Sequence, residues 1–125
     1  MKIVGINRVD PPLSTPIQAR YCSSFLCRLR GLTFRNKLDA EEGLLLVGTR
    51  ENRLDAAIHM IGVRMDLAVF WLDSEKKIVD RQLARKWHPL YVPDQPAKYV
   101  LELAAGRYEE LKIGEVLDFE EVYID

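Results

Sequence analysis

Hydrophobic positions along the chain fall into short runs of strand length rather than into long helical repeats. The longest run is Leu67–Leu72, which is followed by a polar turn at Asp73–Lys76 and an answering run at Lys77–Ala84. Runs of this length separated by turn residues are typical of β-strands joined in a hairpin. Because the first arm is apolar at every position, we predict that it is an interior strand buried on both faces.

The same pattern predicts five further strands and two short helices. The strands are expected at Lys2–Ile6, Ile17–Cys22, Leu44–Val47, Tyr99–Leu103 and Val116–Tyr123, and the helices at Ser24–Arg30 and Ala105–Leu111. The first strand is interpreted as an edge strand that continues into an extended arm through Pro16, because two consecutive prolines exclude a helix there. Gly48–Asp55 is predicted to be a polar loop, and Trp87–Pro96 a structured crossing loop.

Short strands at this spacing favour a mainly β fold, or α+β by count. We expect a compact β-sandwich or barrel of about seven short strands with one or two short helices. A doubly wound sheet would need helices of about 10–15 residues between its strands, which the pattern does not provide. With 125 residues the chain can bury one hydrophobic core of ordinary size. We therefore predict a single domain over residues 1–125, with an N-terminal strand and arm at residues 1–16.

Composition narrows the classes of function only slightly. The net charge of −1 gives no general attraction to nucleic acid or to an anionic membrane. The apolar start of the chain is too short for an export signal, and no run approaches the roughly 18 apolar residues of a membrane span. We expect a cytoplasmic protein without nucleic-acid or membrane partners. Its oligomeric state is not predicted, although the apolar edge at Ile3–Ile6 could pair with a second chain.

The cysteines and histidines do not form a recognisable metal or redox motif. Cys22 and Cys27 are five residues apart, which does not fit a C-x-x-C pair, and a second pair for structural zinc is missing. We interpret both as small buried thiols. His59 and His88 lack the spacing of metal ligands, and no phosphate-binding glycine loop is present. No metal and no cofactor are therefore expected.

Basic residues concentrate near the predicted helix at Ser24–Arg30. Ser24 can cap its N-terminus, and Gly31 stands where a helix C-terminus favours a left-handed residue. The tight exit gathers three arginines: Arg28, Arg30 and Arg35. Because a guanidinium recognises carboxylate or phosphate with two parallel hydrogen bonds, this helix-turn could form a small-anion pocket. The structural alternative is that the arginines bind carboxylates of the protein itself, such as Glu42 or Glu102.

A succession of short motifs resembles a known family. The motifs are Arg28–Arg35, Glu42–Val47, Ile58–Met60, Val69–Asp73, Tyr99–Gly106 and Ile113–Glu115. Together they resemble the domain-of-unknown-function 192 family over residues 20–119, as a divergent member without the export signal that many members carry. The resemblance implies a small, mainly β domain whose biochemical activity is not established. Thr33 stands where the family usually has Met, and Asp66 where it usually has Pro.

Two functions remain open for these residues. The first is a binding or interaction module that holds a small anionic ligand or a protein partner at the arginine-bearing helix-turn. The alternative is a small enzyme in which His59 and Asp66 act as acid and base next to the arginines. In both cases we expect the site near the approach to the Leu67–Leu72 strand. The candidate residues are Arg28, Arg30, Arg35, His59, Arg64 and Asp66.

Overall fold

The computed structural model describes residues 2–33 and 35–123, and within them the protein is mainly β. The strands are β1 (Lys2–Arg8), β2 (Ile17–Cys22), β3 (Glu42–Asn52), β4 (Leu67–Leu72), β5 (Ile78–Ala84), β6 (Ala97–Ala104) and β7 (Leu117–Tyr123). The helices are α1 (Phe25–Arg30) and a 3₁₀ helix at Ala105–Glu110. None of the helices in these ranges is long and apolar enough to cross a membrane. Phe34 of the Arg28–Arg35 motif and the two ends of the predicted domain lie outside the described residues.

The strands form one curled sheet in the order β5-β4-β6-β3-β2-β1-β7. Neighbouring strands are antiparallel except β2 and β3, which are parallel. The two ends of the sheet approach each other, because Lys77 and Val116 form an isolated β-bridge and the Ile78 N–H donates to the Glu115 carbonyl at 2.9 Å. The result is a half-barrel, which confirms the predicted mainly β fold.

The hairpin of β4 and β5 lies as the hydrophobic pattern predicts, and β4 is an interior strand. It pairs with β5 on one side and with β6 on the other, and all six of its residues are buried. Alternate side chains enter two separate hydrophobic clusters on opposite faces of the sheet. The first face carries Ala68, Phe70 and Leu72, and the second carries Leu67, Val69 and Trp71. Both faces of the sheet must therefore be covered by other parts of the chain.

The segment before β4 provides part of the cover on the second face. Ala56, Ile58, Met60 and Val63 are buried against that face. The Trp71 indole N–H donates to the Ala56 carbonyl at 2.7 Å, so the largest side chain of β4 also fixes the segment above it. Because the indole is fully buried, this hydrogen bond satisfies a donor that would otherwise destabilise the fold.

Two predictions of strand position are wrong. β1 is not an edge strand, because β2 pairs with one side of it and β7 with the other. The backbone at Ile3–Ile6 is therefore not open to a second chain. β3 extends through Asn52, where a loop was predicted from Gly48 onward. The exposed polar residues Thr49 and Arg50 belong to a part of β3 that runs beyond the core. The run of apolar residues that predicts the strand therefore ends before the strand does.

The capped helix α1 is confirmed, but the interpretation of the cysteines is wrong. Ser24 Oγ accepts a hydrogen bond from the Cys27 N–H at 3.1 Å, and Gly31 ends the helix with a positive φ of 50°. Cys22 and Cys27 form a disulfide rather than two thiols. One cysteine ends β2 and the other lies in α1, and their Cα atoms are 5.6 Å apart, within the usual range for a disulfide.

Gly43 lies where β2, β3 and β6 pair, and it leaves no room for a methyl group. A Cβ there would lie 2.8 Å from Leu103 Cδ2, 3.1 Å from Ile17 Cγ2 and 3.3 Å from the Glu102 carbonyl.

We expect Gly43→Ala to lower the free energy of unfolding by about 1–3 kcal/mol, since these neighbours are buried and must shift. Urea denaturation measures the change. Gly106→Ala is the matched control, because its Cβ would meet no atom within 4 Å; equal losses in both variants would contradict the prediction.

Candidate functional site

A cavity of about 420 Å³ opens on the second face of the sheet, between α1 and the segment 55–59. Its size lies in the range of pockets that hold small molecules, about 300–1,000 Å³. Its floor comes from β3 and β6, and much of its wall is apolar, with Leu32, Leu46, Ile58, Val63 and Val100. The exposed side chains of Phe25 and Leu29 on α1 also line it. An apolar cavity with a few polar groups is the usual form of a ligand site.

Arg28 contributes an unpaired donor to this cavity. Its side chain lies on α1, is half-buried and lines the cavity. Its Nε atom is buried and has no hydrogen-bond partner. A buried N–H without an acceptor costs stability, more so when the group is charged. The capped, disulfide-linked helix α1 therefore carries a buried donor, the Arg28 Nε–H, to which the described structure gives no acceptor.

His59 contributes a second unpaired atom. The ring Nε2 lies 3.0 Å from the Leu29 carbonyl oxygen, while Nδ1 is buried without a partner. Because a carbonyl oxygen only accepts, Nε2 carries the hydrogen, and Nδ1 is an acceptor when the ring is neutral. The backbone on either side is fixed: Ile58 forms a β-bridge with Tyr91, and the Met60 N–H donates to the His88 carbonyl. His59 thus connects the segment before β4 to α1.

Glu102 is a buried acid on the floor of the cavity. Within β6 it is in register with Leu44 of β3 and Val69 of β4, so it lies on the second face between two apolar strands. The residue is only 4% exposed. Burial raises the pKa of its carboxyl group from the ordinary 4.5 to about 7, and no hydrogen bond or opposite charge within residues 2–33 and 35–123 offsets it. Near neutral pH this carboxyl can therefore hold or release a proton.

Positive charge exceeds negative charge around the cavity. The cationic side chains that line it are Arg28, Arg30, Arg50 and Lys98, and the acidic ones are Asp55 and Glu102. Arg50 pairs with Asp55 at 3.0 Å, where both side chains are largely exposed. The remaining cations face a single carboxyl group that can be neutral. The cavity therefore suits an anion better than a cation.

The structure brings together three of the six residues predicted as a site. Arg28, Arg30 and His59 line the cavity. Arg35 lies elsewhere: its guanidinium donates to the Lys37 carbonyl at 3.0 Å and pairs with Glu42 at 3.4 Å. For this arginine, the contacts match the structural alternative of pairing within the protein.

The other two predicted residues, Arg64 and Asp66, also have partners away from the cavity. Arg64 donates to Asn36 Oδ1 at 3.2 Å. Asp66 accepts from the Lys86 backbone N–H at 2.9 Å and from the Arg85 guanidinium at 3.2 Å. The Lys86 N–H, together with Arg85, holds the pKa of the Asp66 carboxyl below its ordinary value. No contact in the described structure joins Asp66 to His59.

Sequence reasoning did not recognise Glu102 as a site residue and considered it only as a partner for an arginine. A signal was present, because Glu102 is the only charged residue in the otherwise apolar stretch 99–106. An acid in the middle of a buried strand is rare unless it is paired or functional. Arg50 and Lys98 gave no such signal, since their placement at the cavity depends on the pairing of β3 with β6.

Metal binding has no support from the geometry. Across residues 2–33 and 35–123, no three His, Cys, Asp or Glu side chains come close enough together to hold a metal ion.

The fold and the cavity define a small, mainly β protein with one curled sheet and a ligand-sized cavity on one face. Comparison with known proteins then identifies the family. The model of the domain-of-unknown-function 192 family, described as "Uncharacterized ACR", matches residues 7–119. The chain therefore belongs to this family, and the resemblance seen in its motifs is confirmed.

Relatives support this assignment, and a solved structure has the same fold. UPF0127 proteins of Thermococcus gammatolerans and Thermococcus kodakarensis are 38% and 35% identical over 74% and 78% of this chain. The matches cover 58% and 60% of those proteins, so the chain spans less than two thirds of their length. The structure of a proposed transcription regulator from Sinorhizobium meliloti has a TM-score of 0.85 at 18% identity, covering 95% of this chain and 94% of that one. At this identity the likeness shows a shared fold alone.

The buried Glu102 makes stability depend on pH in a defined direction. Unfolding lowers the pKa of the Glu102 carboxyl group from about 7 to the ordinary 4.5. At a pH between 4.5 and about 7, unfolding is therefore accompanied by release of a proton. The contribution of Glu102 to the free energy of unfolding is therefore full below pH 4.5, falls as the pH rises, and is lost above about pH 7. The fall is on the order of 3 kcal/mol, at about 1.4 kcal/mol for each pKa unit.

Glu102→Gln removes this titration, so we expect the variant to be more stable than the parent protein at about pH 8, with a flatter dependence on pH. Urea denaturation at several pH values measures both quantities. Glu120→Gln, on the exposed face of β7, is the control and should keep the pH dependence of the parent protein. If Glu102→Gln also keeps it, the carboxyl is not held neutral by burial.

Proposed function

We propose that this protein is a binding module that holds a small anionic ligand in the cavity beside α1. The observation that carries the proposal is the buried, unpaired Nε of Arg28 in a ligand-sized cavity. A guanidinium binds a carboxylate side-on through Nε and one Nη, in two parallel hydrogen bonds. A bound anion would therefore satisfy a donor that the protein itself leaves without a partner.

The walls favour a ligand that is partly apolar. Leu32, Leu46, Val63 and Val100 line the cavity and belong to the second hydrophobic cluster. A fully hydrated inorganic anion gains nothing from such walls, whereas an aliphatic or aromatic body buries apolar surface against them. The charge around the cavity also favours a negatively charged ligand, because Arg30 and Lys98 add their positive charges to that of Arg28. The ligand class is thus a small organic anion.

An enzyme based on His59 and Asp66 has less support. General acid–base catalysis needs both groups within reach of the same substrate. Asp66 instead accepts hydrogen bonds from Arg85 and Lys86, and it is not among the described residues that line the cavity with His59. Binding is therefore the function that the contacts favour.

The test is an NMR titration of the isotope-labelled protein with benzoate and hexanoate, each compared with its neutral amide. We expect the acids to shift backbone amide signals of α1, Gly48 and Lys98, and to bind more tightly than the amides. Arg28→Gln should weaken binding of the acids by about ten- to a hundredfold, the usual effect of losing charge-assisted hydrogen bonds. It should change the free energy of unfolding by less than about 0.5 kcal/mol, because Nε has no partner to lose.

Arg35→Gln is the matched control, since Arg35 pairs with Glu42 outside the cavity. It should bind the acids as the parent protein does. The proposal fails if acids and amides bind equally, if neither shifts the cavity signals, or if the Arg35 variant loses binding to the same extent as the Arg28 variant.

A further inference from the structure

Glu102 raises a difficulty for an anion in this cavity. It lies on β6 and lines the same cavity as residues of α1, and only 4% of its surface is exposed. As a carboxylate, it would repel an anionic ligand at short range and would itself remain buried without a partner. As a neutral acid, it would instead offer an O–H donor to the same ligand. The protonation state of Glu102 therefore decides what the cavity can hold.

We infer that the ligand is a small organic monocarboxylate, bound between the guanidinium of Arg28 and the neutral carboxyl group of Glu102, so that ligand and protein share one proton. The inference rests on the proposed function, and it adds the class of ligand and the residue that selects it. A carboxylate has enough lone pairs to accept from both groups at once. Two carboxyl groups that share a site bind one proton between them, because both cannot be ionised at low cost.

The surroundings of Glu102 are consistent with this arrangement. The other charged and titratable groups that line the cavity are Arg28 and Arg30 on α1, Arg50 on β3, Asp55 and His59 in the segment 55–59, and Lys98 on β6. The neighbouring strand β4 presents only apolar side chains to this face. Glu102 forms no ion pair with any of these cations, and burial alone raises its pKa to about 7. Near pH 7 Glu102 is therefore protonated in a large fraction of molecules, although cationic side chains line the same cavity.

Proton sharing gives binding a pH dependence that simple anion binding to arginine lacks. Benzoate and hexanoate are ionised throughout the range from about pH 5.5 to about pH 8.5, and so is Arg28. If Glu102 must hold a proton in the complex, affinity is constant at low pH and falls roughly tenfold for each pH unit above 7. The experiment is the NMR titration with benzoate at several pH values in this range. The ¹³C shift of the Glu102 carboxyl group is recorded with and without benzoate and should show a higher pKa in the complex.

Three variants separate the role of Glu102 from a general effect of pH. Glu102→Gln carries a permanent N–H donor, so it should bind benzoate within about threefold of the parent protein at low pH and should keep that affinity at high pH. Glu102→Leu has no donor and should bind at least tenfold more weakly at low pH. His59→Gln removes the histidine that lines the cavity, and it should keep the pH profile of the parent protein.

The outcomes distinguish this inference from the proposed function. Benzoate binding that depends on Arg28 but stays constant with pH, or strengthens above pH 7, overturns proton sharing and leaves the anion site in place. If His59→Gln loses the pH profile and Glu102→Gln keeps it, the proton belongs to His59. This result also overturns proton sharing by Glu102. Tighter binding of benzylamine than of benzoate, or binding of neither, overturns the proposed function and this inference together.

Discussion

Burial of β4 on both faces is the constraint on which the rest of this structure depends. A strand with six buried residues needs a hydrophobic layer on each side of the sheet. On the first face the curl of the sheet supplies it, because strands from both ends contribute to one cluster. On the second face the cover comes from the segment 56–63 and from Leu32 just after α1. That cover is held by the Trp71 hydrogen bond to Ala56 and by the disulfide at the end of β2. Where it is incomplete, over β3 and β6, the cavity remains.

The polar groups of the cavity contrast with those elsewhere in the core. Arg107 is 3% exposed, yet its guanidinium is fully engaged by the Ala40 and Thr15 carbonyls and by Glu110. Arg28 and Glu102 are left without such partners. Buried polar groups without partners lower stability, and they are found mainly where a ligand or a reaction supplies the missing contact. The same protein thus satisfies a structural arginine and leaves the cavity groups open, which supports a ligand site there.

The arginine-bearing turn shows how far local reasoning reaches. The sequence predicts the cap at Ser24, the end of the helix at Gly31 and the concentration of arginines, because each depends on residues within one or two turns of chain. It does not predict the direction in which each arginine side chain points. Arg28 lines the cavity on the second face, whereas Arg35, only seven residues later, pairs with Glu42. The helix that carries Arg28 ends at Gly31, before Arg35 is reached, so closeness in sequence does not mean a shared site.

The sequence by itself determined the mainly β class, the β4–β5 hairpin, the capped helix and the family, because strand length, turn residues and motif order are local properties. Tertiary structure decided the rest. It placed β7 beside β1, extended β3 past its apolar residues, and joined Cys22 to Cys27. Above all, the pairing of β6 between β3 and β4 placed Glu102 in an apolar layer and in the same cavity as residues of α1. The local pattern marks Glu102 as an acid in an apolar stretch, but the pKa of its carboxyl depends on burial by residues distant in the chain.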